Sequence, residues 1–111
     1  MKEITADGVR YTPVIDTDPD WALVRSRDAG VFAGRLASRT GDEVELTDAR
    51  RIWYWAGAAT LSQLAVDGTS KPGDCKFPPP VPTITVLGVC EIIPMTAKAV
   101  ASVRAVKEWR Q

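Results

Sequence analysis

Histidine is absent from this 111-residue chain, cysteine occurs only twice, and neither sign of charge is in excess, with 14 basic against 14 acidic residues. Without histidine there is no Ser-His or Cys-His nucleophile pair, no histidine-bearing zinc site and no imidazole base near neutral pH, so most common hydrolase designs are excluded. Cys75 and Cys90 are too few for a four-cysteine zinc site and too far apart for a redox Cys-x-x-Cys pair, so two free thiols are expected. Balanced charge gives no whole-molecule attraction to DNA, RNA or anionic lipid. Long apolar runs are also missing: the uncharged stretch Phe77 to Cys90 contains four prolines and falls short of the roughly 20 residues of a membrane span. Lys2, Glu3, Asp7 and Arg10 stand where a secretory leader would need its apolar segment, so a cytosolic protein is expected.

What remains is the composition of one globular domain, 45% hydrophobic and 25% charged. A domain this small buries only about 65% of its unfolded surface, which makes self-association an economical way to bury more. Charge is unevenly placed: Glu3, Asp7, Asp16, Asp18 and Asp20 against Lys2 and Arg10 give residues 1–20 a net of −3. That segment has no sustained period and reads as an irregular N-terminal arm with a short strand near Val9 to Tyr11.

The folded domain is expected over residues 21–111. Trp21 to Arg27 reads as a strand, Asp28-Ala29-Gly30 as a turn, Val31 to Arg39 as the return strand, and Glu43 to Leu46 as a third after the Arg39–Asp42 turn. Ala49 to Trp55, rich in aromatic and β-branched residues, is a further strand candidate. It places Arg51, Trp53 and Trp55 on one face and Arg50, Ile52 and Tyr54 on the other. Thr60 is a candidate N-cap for a short helix through Leu61, Leu64 and Ala65, closed by Asp67-Gly68. The proline-rich stretch Thr69 to Pro82 must be loop. Thr83 to Ile93 reads as one long strand with Gly88 a bulge or point of close approach, ended by Pro94. Thr96 then caps a last helix with Val100, Val103, Val106 and Trp109 on its buried stripe. The expected class is α+β: a mostly antiparallel sheet with one inserted short helix and one C-terminal helix.

Arg50-Arg51-Ile52-Trp53-Tyr54-Trp55 is the most unusual segment, because it interleaves guanidinium forks for phosphate with aromatic planes for a base. The competing reading is a core strand whose arginines reach the rim. Phe77, beside Lys76 in a stiff proline loop, would lie over a ligand ring or else plug the core beneath its own turn. Lys98, Arg104, Lys107 and Arg110 form either a basic rim for polyphosphate or a solvated helix face. The Asp16, Asp18 and Asp20 alternation lacks the glycine and distal glutamate of a calcium loop. Gly30 and Gly34 lack the Gly-Lys-Ser/Thr context of a phosphate loop. An enzyme would have to rely on a carboxylate base such as Asp28 or Glu91.

Across Val24-Arg25-Ser26-Arg27-Asp28-Ala29-Gly30-Val31, Ala49-Arg50-Arg51-Ile52-Trp53-Tyr54-Trp55-Ala56-Gly57-Ala58-Ala59, Leu61-Ser62-Gln63-Leu64-Ala65, Cys75-Lys76-Phe77-Pro78 and Glu91-Ile92-Ile93-Pro94, the chain resembles the Thoeris anti-defence sponge family of small phage proteins. The resemblance implies a protein of the infected bacterial cytoplasm that sequesters nucleotide immune signals without cleaving them. The expected ligands are chiefly glyco-cyclic ADP-ribose isomers, with cyclic trinucleotides at separate sites. It implies no cofactor, and a homodimer able to pack into hexamers. It also implies that Arg51 and Phe77 sandwich an adenine across a dimer interface, that Arg27, Thr83 and Thr85 contact phosphate or ribose, and that Arg110 serves a trinucleotide site. Where family members use an amide side chain on the penultimate strand, this chain has only threonines. The alternative is a phage accessory protein that binds a host protein through its aromatic strand or proline loop.

Overall fold

A computed structural model describes residues 4–6, 9–11 and 17–111. Within the expected arm, β1 (Ile4–Ala6) and β2 (Val9–Tyr11) pair antiparallel, and β3 (Thr17–Ser26) begins before Trp21. Asp16, and with it part of the alternating aspartate motif, lies outside the described residues.

The α+β architecture is as expected. β3, β4 (Gly30–Thr40) and β5 (Glu43–Arg51) form an antiparallel meander. β6 (Val81–Val86) adds beside β5 and β7 (Val89–Thr96) beside β3, giving the order β6-β5-β4-β3-β7. In a flat sheet β6 and β7 would be separated by three strands, at about 4.8 Å per step, yet only Leu87 and Gly88 link them. The sheet therefore rolls up. Val86 pairs with Val44 at the far end of the meander and Val89 with Ser26 at its near end. The Gly88 carbonyl accepts from the Arg27 amide at 3.1 Å, and the Val89 amide donates to the Asp42 carbonyl at 2.9 Å. Both turns flanking β4 thus close on the Gly88–Val89 peptide that joins β6 to β7. Gly88 permits the bend at φ 66°, a region costly for residues with a Cβ.

Rolling gives the sheet two apolar faces. In β3, Ala22 and Val24 point into the curl with Phe32, Val44, Leu46, Val86 and Val89, while Trp21 and Leu23 face the helical side. There they meet α1 (Leu61–Asp67) and α2 (Ala97–Ala105) through Leu64, Ala65, Met95, Val100 and Val103. Thr60 caps α1 by accepting from the Gln63 amide, and Gln63 accepts from the Ala59 amide in return. Thr96 caps α2 by accepting from the Ala99 amide and donates its own hydroxyl proton to the Val66 carbonyl at 2.6 Å, joining the two helix ends.

Several local expectations are corrected. The one long strand expected over Thr83 to Ile93 is two, β6 and β7, parted at Leu87 and Gly88, and the stretch expected to be loop through Pro82 gives way to β6 at Val81. Glu43–Leu46 and Ala49–Arg51 are one strand, β5, continuing through a bulge at Asp48 rather than breaking there. Asp48 takes φ 49°, opposite Gly34, where a Cβ would stand 3.1 Å from Ala49 Cα and the Thr47 carbonyl. Regular pairing stops at Arg51, short of Trp55. Pro94 does not end β7, because that strand lies at the sheet edge, where a missing N–H is tolerated. α2 stops at Ala105, so Trp109 is not on its stripe.

Candidate functional site

The bulge resets the inward–outward alternation of β5, so that Ala49 and Arg50 are both buried. Arg50 is 4% exposed, and its guanidinium donates to the carbonyls of Phe77 at 3.0 Å, Pro78 at 3.0 Å and Val103 at 2.8 Å. Val103 lies in the last turn of α2, where unpaired carbonyls make the helix end negative. Burial lowers the Arg50 pKa from its ordinary value, and the Glu108 carboxylate opposes that shift. Arg50 is thus a clamp fastening the proline loop and the end of α2 to β5, with its Cζ 5.6 Å from the Phe77 ring centroid. Phe77 itself is fully buried. The roles implied for Arg50 and Phe77 as ligand contacts give way to packing roles: a ring buried within one chain has no face to offer a site between two chains.

The clamp supports a small ribbon. Lys76 pairs antiparallel with Tyr54, and Phe77 pairs parallel with Glu108, so residues 53–54, 76–77 and 108–109 lie side by side. The Lys76 amide donates to the Tyr54 carbonyl at 2.8 Å, and the Trp109 amide to the Phe77 carbonyl at 3.0 Å. Alternation along the middle segment buries Phe77 and leaves Lys76 outside. Trp53, 64% exposed, stacks with half-buried Trp109 at 6.4 Å between centroids and 7° between planes. The Lys76 ammonium stands 5.8 Å from the Trp109 ring centroid. Trp53 and Lys76, both exposed, and half-buried Trp109 form an outward platform of one open indole backed by a second and flanked by a cation, with Tyr54 exposed beside it. A groove lined by Pro72, Gly73, Lys107 and Arg110 adjoins Trp109.

The other expected residues lie elsewhere. Half-buried Arg51 donates to the Ala29 carbonyl at 2.7 Å, with its Cζ 4.5 Å from the Phe32 ring centroid. It lines a hollow of about 110 Å3 with Pro78, Pro79 and Val81. Arg27 is exposed at the β3–β4 turn, 3.7 Å from Asp42. Thr83 and Thr85 are exposed on β6, opposite Thr47 and Glu45. Arg110 is engaged by Glu108 at 2.7 Å. No hydrogen bond or ion pair joins Arg27, Arg51, Thr83, Thr85 and Arg110 to one another among the described residues. Nothing in the sequence marks Trp109 as a partner of Trp53, because its spacing continues the Val100, Val103, Val106 series past the true helix end. Of the two readings open for Phe77 the structure takes the core plug, and Lys76 is the member of the pair that faces out.

Both cysteines are free, Cys75 buried and Cys90 exposed. Among the described residues no group of three or more histidine, cysteine, aspartate or glutamate side chains could hold a metal, and no helix is long and apolar enough to cross a membrane. Residues 20–103 match the family model described as Domain of unknown function (DUF6948). No curated protein and no solved structure matches the chain.

Proposed function

Because the chain belongs to the DUF6948 family, which carries no activity in its description, we propose a function from the site and the resemblance together: the protein binds a cyclic nucleotide signal and holds it without cleaving it. The ligand class is that of glyco-cyclic ADP-ribose isomers, with cyclic trinucleotides as further candidates, and the setting is the cytoplasm of an infected bacterium. The supporting observation is the outward platform of Trp53, Lys76 and Trp109. Exposed indole faces stack on a base whatever its identity, and the ammonium draws the attached phosphates. The adjoining groove adds a second ammonium, that of Lys107, while its Arg110 is held by Glu108 in the same groove. Glu108, the carboxylate beside the platform, is engaged by Arg110, which suits retention of a ligand better than proton transfer to or from it. The working form is a homodimer able to pack into hexamers.

The test is thermal unfolding of the purified protein with a panel of cyclic ADP-ribose isomers and cyclic di- and trinucleotides, followed by recovery of the ligand after heating. A ligand at about 100 times its dissociation constant adds roughly 2.7 kcal/mol, a rise of several degrees. That rise with ligand returned intact, and its loss in Trp53→Ala, supports the proposal. A rise with altered ligand returned means an enzyme. No rise with any member overturns the proposal and favours a host protein docking on exposed Trp53 and Tyr54.

A further inference from the structure

Odd-numbered residues of β3 point to the helical side of the sheet, so Trp21, Leu23 and Arg25 stand in line there. Leu23 sits between Ile93 of β7 and Ala33 of β4, and that row packs into the core with Leu64 and Ala65 of α1. The next row holds Glu91, Arg25 and Val31, again side by side on β7, β3 and β4. Here the helical cover ends. The row becomes the floor of a groove of about 420 Å3, bordered by Trp55 and by Leu61 and Ser62 at the start of α1. A charged pair thus stands where the apolar side of the strand continues, and a break in an otherwise consistent pattern is where function is to be sought.

Trp55 is half-buried, and its Nε1–H donates to the Ala58 carbonyl at 3.2 Å, so it offers the groove ring surface rather than a donor. Val31 and Leu61 are half-buried as well, three apolar side chains at the margin of the core that the chain leaves partly uncovered. The charged members of the lining are Arg25 and Glu91, with Arg25 Nε 3.5 Å from Glu91 Oε1. That contact uses one guanidinium nitrogen and one carboxylate oxygen, so both groups keep hydrogen-bonding capacity towards a guest.

Size and charge select the guest. The volume falls at the lower end of the range of about 300 to 1,000 Å3 that small-molecule sites span. A lone anion would meet Glu91, and a lone cation would meet Arg25. A molecule with an ammonium and a carboxylate on one carbon sets each group beside its opposite: its carboxylate accepts from the guanidinium, and its ammonium donates to Glu91. An aromatic or branched side chain on that carbon then lies against Trp55, Val31 and Leu61. We infer that the groove is a binding site for a free α-amino acid with an aromatic or branched apolar side chain. It shares no residue with the Trp53 platform and does not rest on the nucleotide reading.

The experiment follows the backbone amide and indole N–H signals of the full-length, 15N-labelled protein during titration with L-phenylalanine. Two parallel titrations use phenethylamine, which lacks the carboxylate, and phenylpropionate, which lacks the ammonium. L-phenylalanine is expected to shift the signals of Val31, Trp55, Leu61 and Ser62 saturably in the millimolar range or below. Each analogue is expected to bind about tenfold more weakly, the loss of one charge-assisted hydrogen bond. Two variants of the ion pair cross this result. Arg25→Gln is expected to weaken phenylalanine and phenylpropionate and to leave phenethylamine unchanged, whereas Glu91→Gln weakens phenylalanine and phenethylamine and leaves phenylpropionate unchanged. The three titrations of the unaltered protein decide the matter even where a variant fails to fold. Absent or non-saturating shifts with L-phenylalanine overturn the proposal. Equal binding of all three probes overturns it too, leaving an unspecific aromatic contact at Trp55. Shifts that fall on Trp53 and Trp109 instead overturn this site and put the ring on the platform.

Discussion

Replacing Arg50 by methionine keeps the length of the side chain and removes the guanidinium, which isolates the clamp. Three carbonyls, those of Phe77, Pro78 and Val103, lose their donor in a region where Arg50 is 4% exposed. Hydrogen bonds to a charged group contribute about 1.5–3 kcal/mol each. Against that gross loss stands the relief of no longer burying a cation, which amounts to several kcal/mol and which the lowered Arg50 pKa reflects. Removing one side of a buried charged network usually leaves a net loss of about 3–5 kcal/mol. Small domains are stable by only about 5–15 kcal/mol in all. For a domain of this size each kcal/mol moves the midpoint by about 4 °C, so Arg50→Met should melt more than about 10 °C below wild type. Circular dichroism during heating, with urea unfolding at 25 °C as the second measurement, gives the value. Arg50→Lys should fall between the two, since an ammonium is a point charge and cannot span three carbonyls in a fixed fork. A Met variant within about 1 kcal/mol of wild type that no longer binds a nucleotide would refute the clamp and restore Arg50 to the ligand site.

Phe77→Ala should cost about 3–5 kcal/mol in urea unfolding, because a fully buried ring is removed from beneath the ribbon. Trp53→Ala, at a site 64% exposed, should change stability by less than about 1 kcal/mol while abolishing the ligand-induced rise in melting temperature. Gly88→Ala should destabilise by about 1–2 kcal/mol from backbone strain, since a Cβ there finds its closest neighbour, Ser26 Oγ, at an ordinary 3.7 Å. A maleimide should label Cys90 in the folded protein within minutes and Cys75 only after unfolding, which mass spectrometry of the digested protein would show.

The local architecture was legible wherever a residue type has a geometric cause. Thr60 and Thr96 cap their helices, Gly68 closes α1 at φ 76°, and Gly88 is a point of close approach, though there it parts β6 from β7 rather than bulging one long strand. The separation of Arg51 and Trp53 from Arg50 and Ile52 follows from the two-residue period, but Tyr54, expected beside Ile52, is exposed and Trp55, expected beside Trp53, packs on the core that holds Ile52. What the chain did not disclose depends on contacts distant in sequence. The bulge at Asp48 has its cause in the close approach of Gly34, a residue that reads as an ordinary strand glycine. Trp109 continues the helical spacing of Val100, Val103 and Val106, and only the carbonyl of Phe77 diverts it into the ribbon. Arg50 and Arg51 are adjacent and chemically identical, and the difference between a buried clamp and a half-buried surface arginine lies in which face of β5 meets α2.

The link between β6 and β7 also ties two distant amides to a single event. The two bonds lie at opposite ends of β4, yet both are made by the one Gly88–Val89 peptide group, whose carbonyl accepts from the Arg27 N–H and whose N–H donates to the Asp42 carbonyl. Neither turn can lift away without disturbing the anchor of the other, so opening there is one cooperative motion rather than two local ones. Their amide protons should exchange with solvent at a common opening free energy, and a substitution in either turn should loosen both.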